Sequence, residues 1–161
     1  MKTKSNVRDL TKEEIDVFLK EQKVGTLALT NGKNAYAIPL AYSYDNWVVY
    51  LTLGGGGRKA DYFEKNKNVC FSVHWLPSNY GKGNNAWKSV VCDGELSRLT
   101  NPDEITKAIR VLEKHVGMPA NALDNILAMT LKKPLESNFW MVNIKDAGGR
   151  GVENFKEEFS E

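Results

Sequence analysis

Residues 50 to 63 read Tyr-Leu-Thr-Leu-Gly-Gly-Gly-Gly-Arg-Lys-Ala-Asp-Tyr-Phe, so that a β-type run meets four glycines and then an Arg-Lys pair that begins a helix. Glycine lets the backbone curl with its N–H groups exposed, and a helix start adds partial positive charge. The side chains of Arg58 and Lys59 place two cationic hydrogen-bond donors beside that backbone. The stretch therefore predicts a site for an anionic group, such as the phosphate tail of a cofactor.

The glycine loop matches neither of two common nucleotide-binding motifs. It lacks the Gly-Lys-Ser/Thr sequence of a P-loop and the third glycine of a dinucleotide fingerprint. Nucleoside triphosphates and a Rossmann site are therefore not predicted. On the residues alone, a flexible turn before an ordinary helix with solvated cations stays open as an alternative.

Short strands and helices are predicted on the N-terminal side of this loop. Thr11 and Glu14 have the spacing of a capping box that begins a first helix. Asn31-Gly32 indicates a type I′ hairpin turn, because that turn needs positive φ at both central positions and Asn-Gly is a preferred pair there. The predicted strands cover residues 24–30, 35–43 and 47–53, with a tight turn at residues 44–46.

On the C-terminal side, the pattern predicts a helix over 58–66, strands over 69–75 and 87–99, and a last strand over 139–144. Gly94 marks a bulge or bend inside the long fifth strand. Asn101 and Pro102 begin an amphipathic helix that ends at Gly117, and a further helix is predicted over 119–131. The Gly-rich and then charged segment from residue 146 onward is expected to be loosely held or docked on a partner.

Five or six short antiparallel strands with helices between them predict a small closed or split β-barrel in an α+β protein. The 161 residues are enough for one compact domain with a real core. We expect a single domain over 1–161, with a core at about 9–145 and a C-terminal tail over 146–161.

The charge balance and hydropathy argue against two classes of protein. Lys and Arg total 22 against 20 acidic residues, and a net charge of +2 argues against a dedicated nucleic-acid binder. No apolar run approaches the roughly 18 to 20 residues of a membrane span, and no signal-peptide core follows the first residues. The expectation is a soluble cytoplasmic protein.

The cysteines and histidines do not indicate a metal site. Cys70 and Cys92 lie inside apolar strand-like runs without a close-spaced partner, which predicts buried thiols rather than a disulfide or a zinc knuckle. His74 and His115 are far apart and lack a carboxylate at ligand spacing. His115 is expected to complement a helix C-terminus, whereas a contact of His74 with a flavin or substrate stays open.

The order of the motifs resembles that of the pyridoxamine 5′-phosphate oxidase-like FMN-binding split barrels, especially the branch of nitroimidazole-resistance-type flavoproteins. The shared order comprises an Ala-Ile-Pro-Leu strand, the glycine loop with Arg58-Lys59, an Asn-Val-Cys-Phe strand and the run Trp-Lys-Ser-Val-Val-Cys-Asp-Gly. The resemblance covers about residues 9 to 145. It implies a six-stranded antiparallel split β-barrel with peripheral helices, and a homodimer with FMN in clefts at the subunit interface.

The resemblance also implies a set of cofactor-binding residues. In such proteins the Arg-Lys pair grips the FMN phosphate, and the second strand runs beside the flavin ring. A threonine at the end of the third strand lies near the phosphate, and a serine in the fifth strand contacts the ring or ribityl chain. The corresponding residues here are Ile38, Pro39, Leu40, Ala41, Thr52, Gly57, Arg58, Lys59, Lys88 and Ser89.

The chain departs from the oxidase itself at two places. The oxidase carries a lysine at the end of the second strand and a C-terminal Trp and Arg set for the substrate phosphate, whereas this chain has Ala41 and the run Phe-Trp-Met-Val-Asn-Ile-Lys over residues 139–145. Oxidation of pyridoxamine phosphate is therefore not predicted, and Trp140 is given no substrate role.

The leading hypothesis is an FMN-dependent oxidoreductase that transfers hydride or electrons to a small-molecule acceptor such as a nitro compound, a quinone-like molecule or another flavin. No catalytic side chain is assigned, since the cofactor carries the chemistry. Two alternatives stay open: a non-catalytic FMN store or one-electron carrier, and a split barrel that uses the deazaflavin F420 or haem.

Overall fold

The computed structural model describes residues 7–152, which form eight strands, four α-helices and one 3-10 turn at Pro134–Glu136. The strands are β1 Arg8–Asp9, β2 Val24–Thr30, β3 Ala35–Ala41, β4 Ser43–Asp45, β5 Val48–Thr52, β6 Asn68–Trp75, β7 Trp87–Arg98 and β8 Phe139–Val152. The helices are α1 Lys12–Glu21, α2 Arg58–Lys65, α3 Pro102–Val116 and α4 Asp124–Lys132.

All eight strands belong to a single antiparallel sheet. Their order is β3-β2-β6-β7-β8-β5-β4, and β1 pairs with the end of β8. The sheet curls into a half-barrel with the helices around it, which confirms the predicted α+β split-barrel class. The count exceeds the predicted six strands because the two shortest strands, β1 and β4, are additional.

The two ends of the strand order are joined through Tyr42. β3 pairs with β2 as far as Ala41, and the chain then changes partner, so that β4 pairs with β5. The main-chain N–H of Tyr42 donates to Lys23 O at 3.0 Å, and its buried phenol donates to Leu19 O at 2.8 Å. Tyr42 therefore divides the strand predicted over 35–43. β3 and β5 are not paired with each other, and we call the gap between them the split.

The two hairpin turns differ from the predictions. The loop between β2 and β3 has four residues, in which Gly32 adopts positive φ but Asn31 does not, so the predicted type I′ turn there is wrong. Instead, Asn31 Oδ1 accepts hydrogen bonds from the N–H groups of Lys33 and Asn34. A turn with positive φ at both central residues lies at Asn46-Trp47, just after the predicted position.

The longest pairing in the sheet is between β7 and β8. The predicted bulge at Gly94 is confirmed by a register shift between Asp93 and Gly94. The last strand was predicted to end at residue 144, but β8 continues to Val152 and so includes the first part of the expected tail. The remainder of that tail, residues 153–161, lies outside the described residues. The glycines in this extension permit close packing, since a Cβ on Gly149 would lie 2.9 Å from Leu10 Cδ1.

The helix caps predicted for α1 and α3 are confirmed. Thr11 and Glu14 form the capping box of α1, and Asn101 caps α3 with Gly117 in the left-handed conformation at its end. α4 begins at Asp124, later than predicted. The buried carboxylate of Glu113 accepts the N–H of Leu123 at 2.9 Å and thereby orders the chain before α4.

Buried side chains form two clusters, one inside the half-barrel and one between α3 and the sheet. Among the helices of residues 7–152, none is long and apolar enough to span a lipid bilayer.

Candidate functional site

The glycine loop between β5 and α2 leaves the first turn of α2 without a side-chain cap. Gly57 is the N-cap residue with φ of 84°, a conformation that favours glycine, and it has no side chain to accept the first N–H groups. Free N–H groups at a helix start, together with the helix dipole, favour an anion at this position.

The guanidinium of Arg58 contacts two tyrosine rings, one on β3 and one on α2. Its guanidinium carbon lies 4.3 Å from the ring centroid of Tyr36 on β3 and 5.5 Å from that of Tyr62 on α2. Its Nη2 atom donates to the phenol oxygen of Tyr62 at 3.3 Å, and this hydrogen bond raises the pKa of the guanidinium above its ordinary value. The side chain is thus oriented by stacking while its charge stays at the exposed surface.

The side chains of Lys59 and Arg98 both lie close to the glycine loop. A Cβ added to Gly54 or to Gly57 would lie 3.9 Å from Lys59 Nζ, and one added to Gly55 would lie 3.0 Å from Arg98 Nη2. Within residues 7–152, no carboxylate forms an ion pair with either of these cations or with Arg58. The loop is therefore a concentration of uncompensated positive charge.

The four predicted residues of β3 divide between the two faces of the strand. Ile38 and Leu40 pack against the barrel core, whereas Pro39 and Ala41 are exposed on the opposite face. β3 is an edge strand in the described sheet, and edge strands are the place in a sheet where proline is tolerated.

A groove runs along the split and contains three of the predicted residues. Its lining includes Leu40 and Ala41 of β3, Thr52 at the end of β5, and apolar residues of α3. The groove encloses about 180 Å³. The structure thus brings β3 and Thr52 together, and the Tyr36 contact connects the same strand to Arg58.

Lys88 and Ser89 are not close to this group within one chain. β7 is separated from β3 by β2 and β6, which corresponds to three strand spacings, or roughly 14 Å. Ser89 is paired with His74 and lies on one face of the sheet, whereas Lys88 is paired with Trp75 and lies on the other.

The cysteines are not placed for nucleophilic or metal chemistry. Burial raises the pKa of the Cys92 thiol to about 12, and burial also raises the pKa of the half-buried Cys70. Across residues 7–152 no cluster of His, Cys, Asp or Glu has the arrangement of a metal site. His115 at the end of α3 has its Nε2 atom 2.7 Å from Gln22 O and packs on the ring of Tyr42.

Sequence reasoning missed two contacts of this site. The stacking of Tyr36 on Arg58 depends on how α2 packs beside β3, and the position of Arg98 depends on the sheet order. The contact between Arg58 and Tyr62 could have been predicted from the sequence, because Tyr62 lies four residues after Arg58 and therefore on the same helix face.

The structure is an α+β split barrel with a cationic loop between β5 and α2. Residues 11–151 match the family described as pyridoxamine 5′-phosphate oxidase, and the chain belongs to that family. This confirms the family resemblance found in the sequence. No curated protein matches the sequence.

Several solved structures are similar to the chain. An FAD-binding protein from Mesorhizobium loti is 27% identical, with 91% of this chain and 99% of that one covered and a TM-score of 0.67. A proposed 5-nitroimidazole antibiotic resistance protein from Bacteroides thetaiotaomicron is 19% identical, with 90% and 87% covered and a TM-score of 0.70. An FAD and heme binding protein from Mycobacterium smegmatis is 13% identical, with 96% and 77% covered and a TM-score of 0.70. The last two similarities concern the fold.

Proposed function

We propose that the chain is a flavoprotein that binds FMN along the split, with the phosphate at Arg58 and Lys59. The observation that carries this proposal is the pair of cations at an uncapped helix start, neither of which has an acidic partner in residues 7–152. Arg58 contacts Tyr36 of β3, and the same strand lines the groove through Leu40 and Ala41. Membership of the pyridoxamine 5′-phosphate oxidase family and the similarity to an FAD-binding protein support a flavin as the ligand.

The residues present fit such a ligand. Two cations and the free N–H groups after Gly57 match the charge of a phosphate monoester. The groove beside Leu40, Ala41 and Thr52 offers apolar side chains to a flat ring system. When bound, the flavin supplies hydride or electron transfer, and the protein binds and orients it.

The binding site is completed, in this proposal, by a second copy of the chain in a homodimer. The groove of about 180 Å³ in one chain is smaller than the roughly 300 Å³ at which ligand pockets begin. Lys88 and Ser89 lie three strands away in the same chain, so they can join the ring only from a partner. Sedimentation should report a dimer, and a monomer that retains stoichiometric FMN would contradict this arrangement.

The proposed activity is transfer of electrons or hydride from the bound flavin to a small-molecule acceptor. No side chain of the chain is assigned a chemical step. Stopped-flow mixing of the flavin-loaded protein with NADH or NADPH, followed by a nitroaromatic or quinone acceptor, tests turnover. Reduction without reoxidation by any acceptor would instead support a store or a one-electron carrier.

The decisive experiment is an absorption spectrum of freshly purified protein, with mass identification of whatever denaturation releases. FMN in near-equimolar amount is the expected result. FAD, F420 or riboflavin would contradict the proposed ligand. Haem is a separate outcome with a Soret band, and it is included because one structurally similar protein is described as binding heme.

A further inference from the structure

We infer that Arg98 is a third phosphate-binding residue of the glycine loop; the inference rests on the proposed function. Arg98 is the last residue of β7, so it reaches the loop from the sheet and not from the helix that carries the Arg-Lys pair. No sequence motif connects it to the loop, and the sheet topology alone brings it there.

The side chain of Arg98 is fixed at two points. Its Nε–H donates to the carbonyl oxygen of Ser137 at 2.6 Å, and its guanidinium carbon lies 5.6 Å from the ring centroid of Trp140. Trp140 is itself buried and donates its Nε1–H to Leu53 O at 3.1 Å, next to the first glycine of the loop. The guanidinium therefore has a defined position against the loop rather than a solvated, rotating one.

The outer nitrogens of Arg98 remain available as donors. Its Nη2 atom lies 3.0 Å from the position that a Cβ of Gly55 would take, so the guanidinium lies against the loop at Gly55 and a side chain there would displace it. In residues 7–152, the hydrogen bond to Ser137 is the only one that this side chain makes, and none of its nitrogens is buried without a partner. The Nη groups thus face a solvent-accessible space beside the loop.

Arg98 and Lys59 both place a positive charge at the glycine loop, where an anionic group would meet them. Lys59 reaches over Gly54 and Gly57, Arg98 reaches Gly55, and neither has an acidic partner in the described residues. Because like charges at one loop repel, a dianionic group between them removes an unfavourable interaction and adds charge-assisted hydrogen bonds. A loop support without ligand contact is the competing explanation.

The test compares FMN with riboflavin, which has the same ring and ribityl chain but no phosphate. Titration of apoprotein should show that Arg98→Met weakens FMN binding about tenfold or more while riboflavin binding changes little. Arg98→Lys should recover part of the loss, because it restores the charge without the planar fork. Lys65→Met, at the exposed end of α2, serves as the control and should leave the FMN to riboflavin ratio unchanged.

A pair of loop variants provides an independent readout if Arg98→Met does not fold. Gly55→Ala places a methyl group against Arg98 Nη2 and displaces the guanidinium while retaining its charge, whereas the Cβ of Gly56→Ala meets no atom within 4 Å. The FMN to riboflavin ratio should fall clearly more in Gly55→Ala than in Gly56→Ala. Equal losses in both variants would overturn the inference.

The outcomes separate this inference from the proposed function. Equal weakening of FMN and riboflavin by Arg98→Met identifies a loop support and overturns the phosphate contact. If Arg58→Ala with Lys59→Ala lowers FMN affinity but Arg98→Met does not change the ratio, only the inference about Arg98 fails. If none of the three cations affects FMN affinity, the proposed phosphate site fails as well.

Discussion

The guanidinium of Arg58 stacks on the ring of Tyr36 at 4.3 Å, and this contact joins the start of α2 to the edge strand β3. Tyr36 is half-buried against the barrel core and also packs on Tyr62 of α2, with ring centroids 5.5 Å apart. The cation that we assign to the phosphate is therefore positioned by the same strand that we assign to the flavin ring.

Replacing Tyr36 should weaken FMN binding modestly. Tyr36→Leu removes a cation–π contact but keeps an apolar side chain against the core, so we expect about a two- to fivefold rise in the FMN dissociation constant. Flavin fluorescence quenching measures this constant directly. Tyr80→Leu, at an exposed loop tyrosine, is the control, and an equal change in both variants would rule out positioning of Arg58 by Tyr36.

Removing both cations of the Arg-Lys pair should have a much larger effect. Arg58→Ala combined with Lys59→Ala eliminates two charge-assisted hydrogen-bond donors, and we expect FMN affinity to fall by about 100-fold or more. The loss should shrink at high salt, because screening already weakens the wild-type interaction. Lys65→Ala in the last turn of the same helix is the matched control. Unchanged flavin content in the purified double variant would contradict the phosphate assignment.

Elements with local signals were predictable from the sequence. The capping box at Thr11, the cap at Asn101 and the bulge at Gly94 each depend on neighbours along the chain or on glycine itself. The helix start at Arg58 was predictable for the same reason, because the glycines, the helix start and the two cations follow one another directly in the sequence.

Features set by packing between distant segments were not predictable. Tyr42 has good β propensity, yet the predicted strand divides there. Its phenol O–H donates a hydrogen bond to Leu19 O in α1, a contact between segments that are distant in sequence. The glycines of β8 resemble a loop in sequence, whereas Gly151 sits where a Cβ would lie 3.0 Å from Trp87 O. Arg98 and Tyr36 join the site only through sheet order and helix docking.

Gly94 should be intolerant of substitution because of its place in the β7–β8 bulge. A Cβ there would overlap Asn143 O and lie 2.9 Å from Val142 Cγ1, so Gly94→Ala must shift strand backbone. We expect the free energy of unfolding to fall by about 1 to 3 kcal/mol, measured by urea denaturation. Gly148→Ala, in the same strand pair but with open space around its Cβ, should change it by less than about 0.5 kcal/mol. Similar losses in the two variants would show that the bulge is not the cause.

Alkaline pH should destabilise the fold through Cys92. Burial raises the pKa of this thiol from 9.0 to about 12, so above pH 9 the unfolded chain loses its proton while the folded chain keeps it. The contribution of the buried neutral thiol is therefore complete below pH 9 and is lost progressively between pH 9 and 12. In that window, the ionisation of the Cys92 thiol in the unfolded chain lowers the free energy of unfolding by about 1.4 kcal/mol per pH unit.

Cys92→Ala separates this effect from the buried tyrosines Tyr42 and Tyr44, whose pKa values burial also raises. The variant should be less stable than wild type at pH 7, because it leaves space in the core. Its decline between pH 9 and 10 should nevertheless be shallower, since one ionising group is gone and tyrosines of the unfolded chain ionise mainly above about pH 10. Urea midpoints measured at intervals from pH 7 to 10 give both slopes, and parallel slopes would show that Cys92 does not titrate on unfolding.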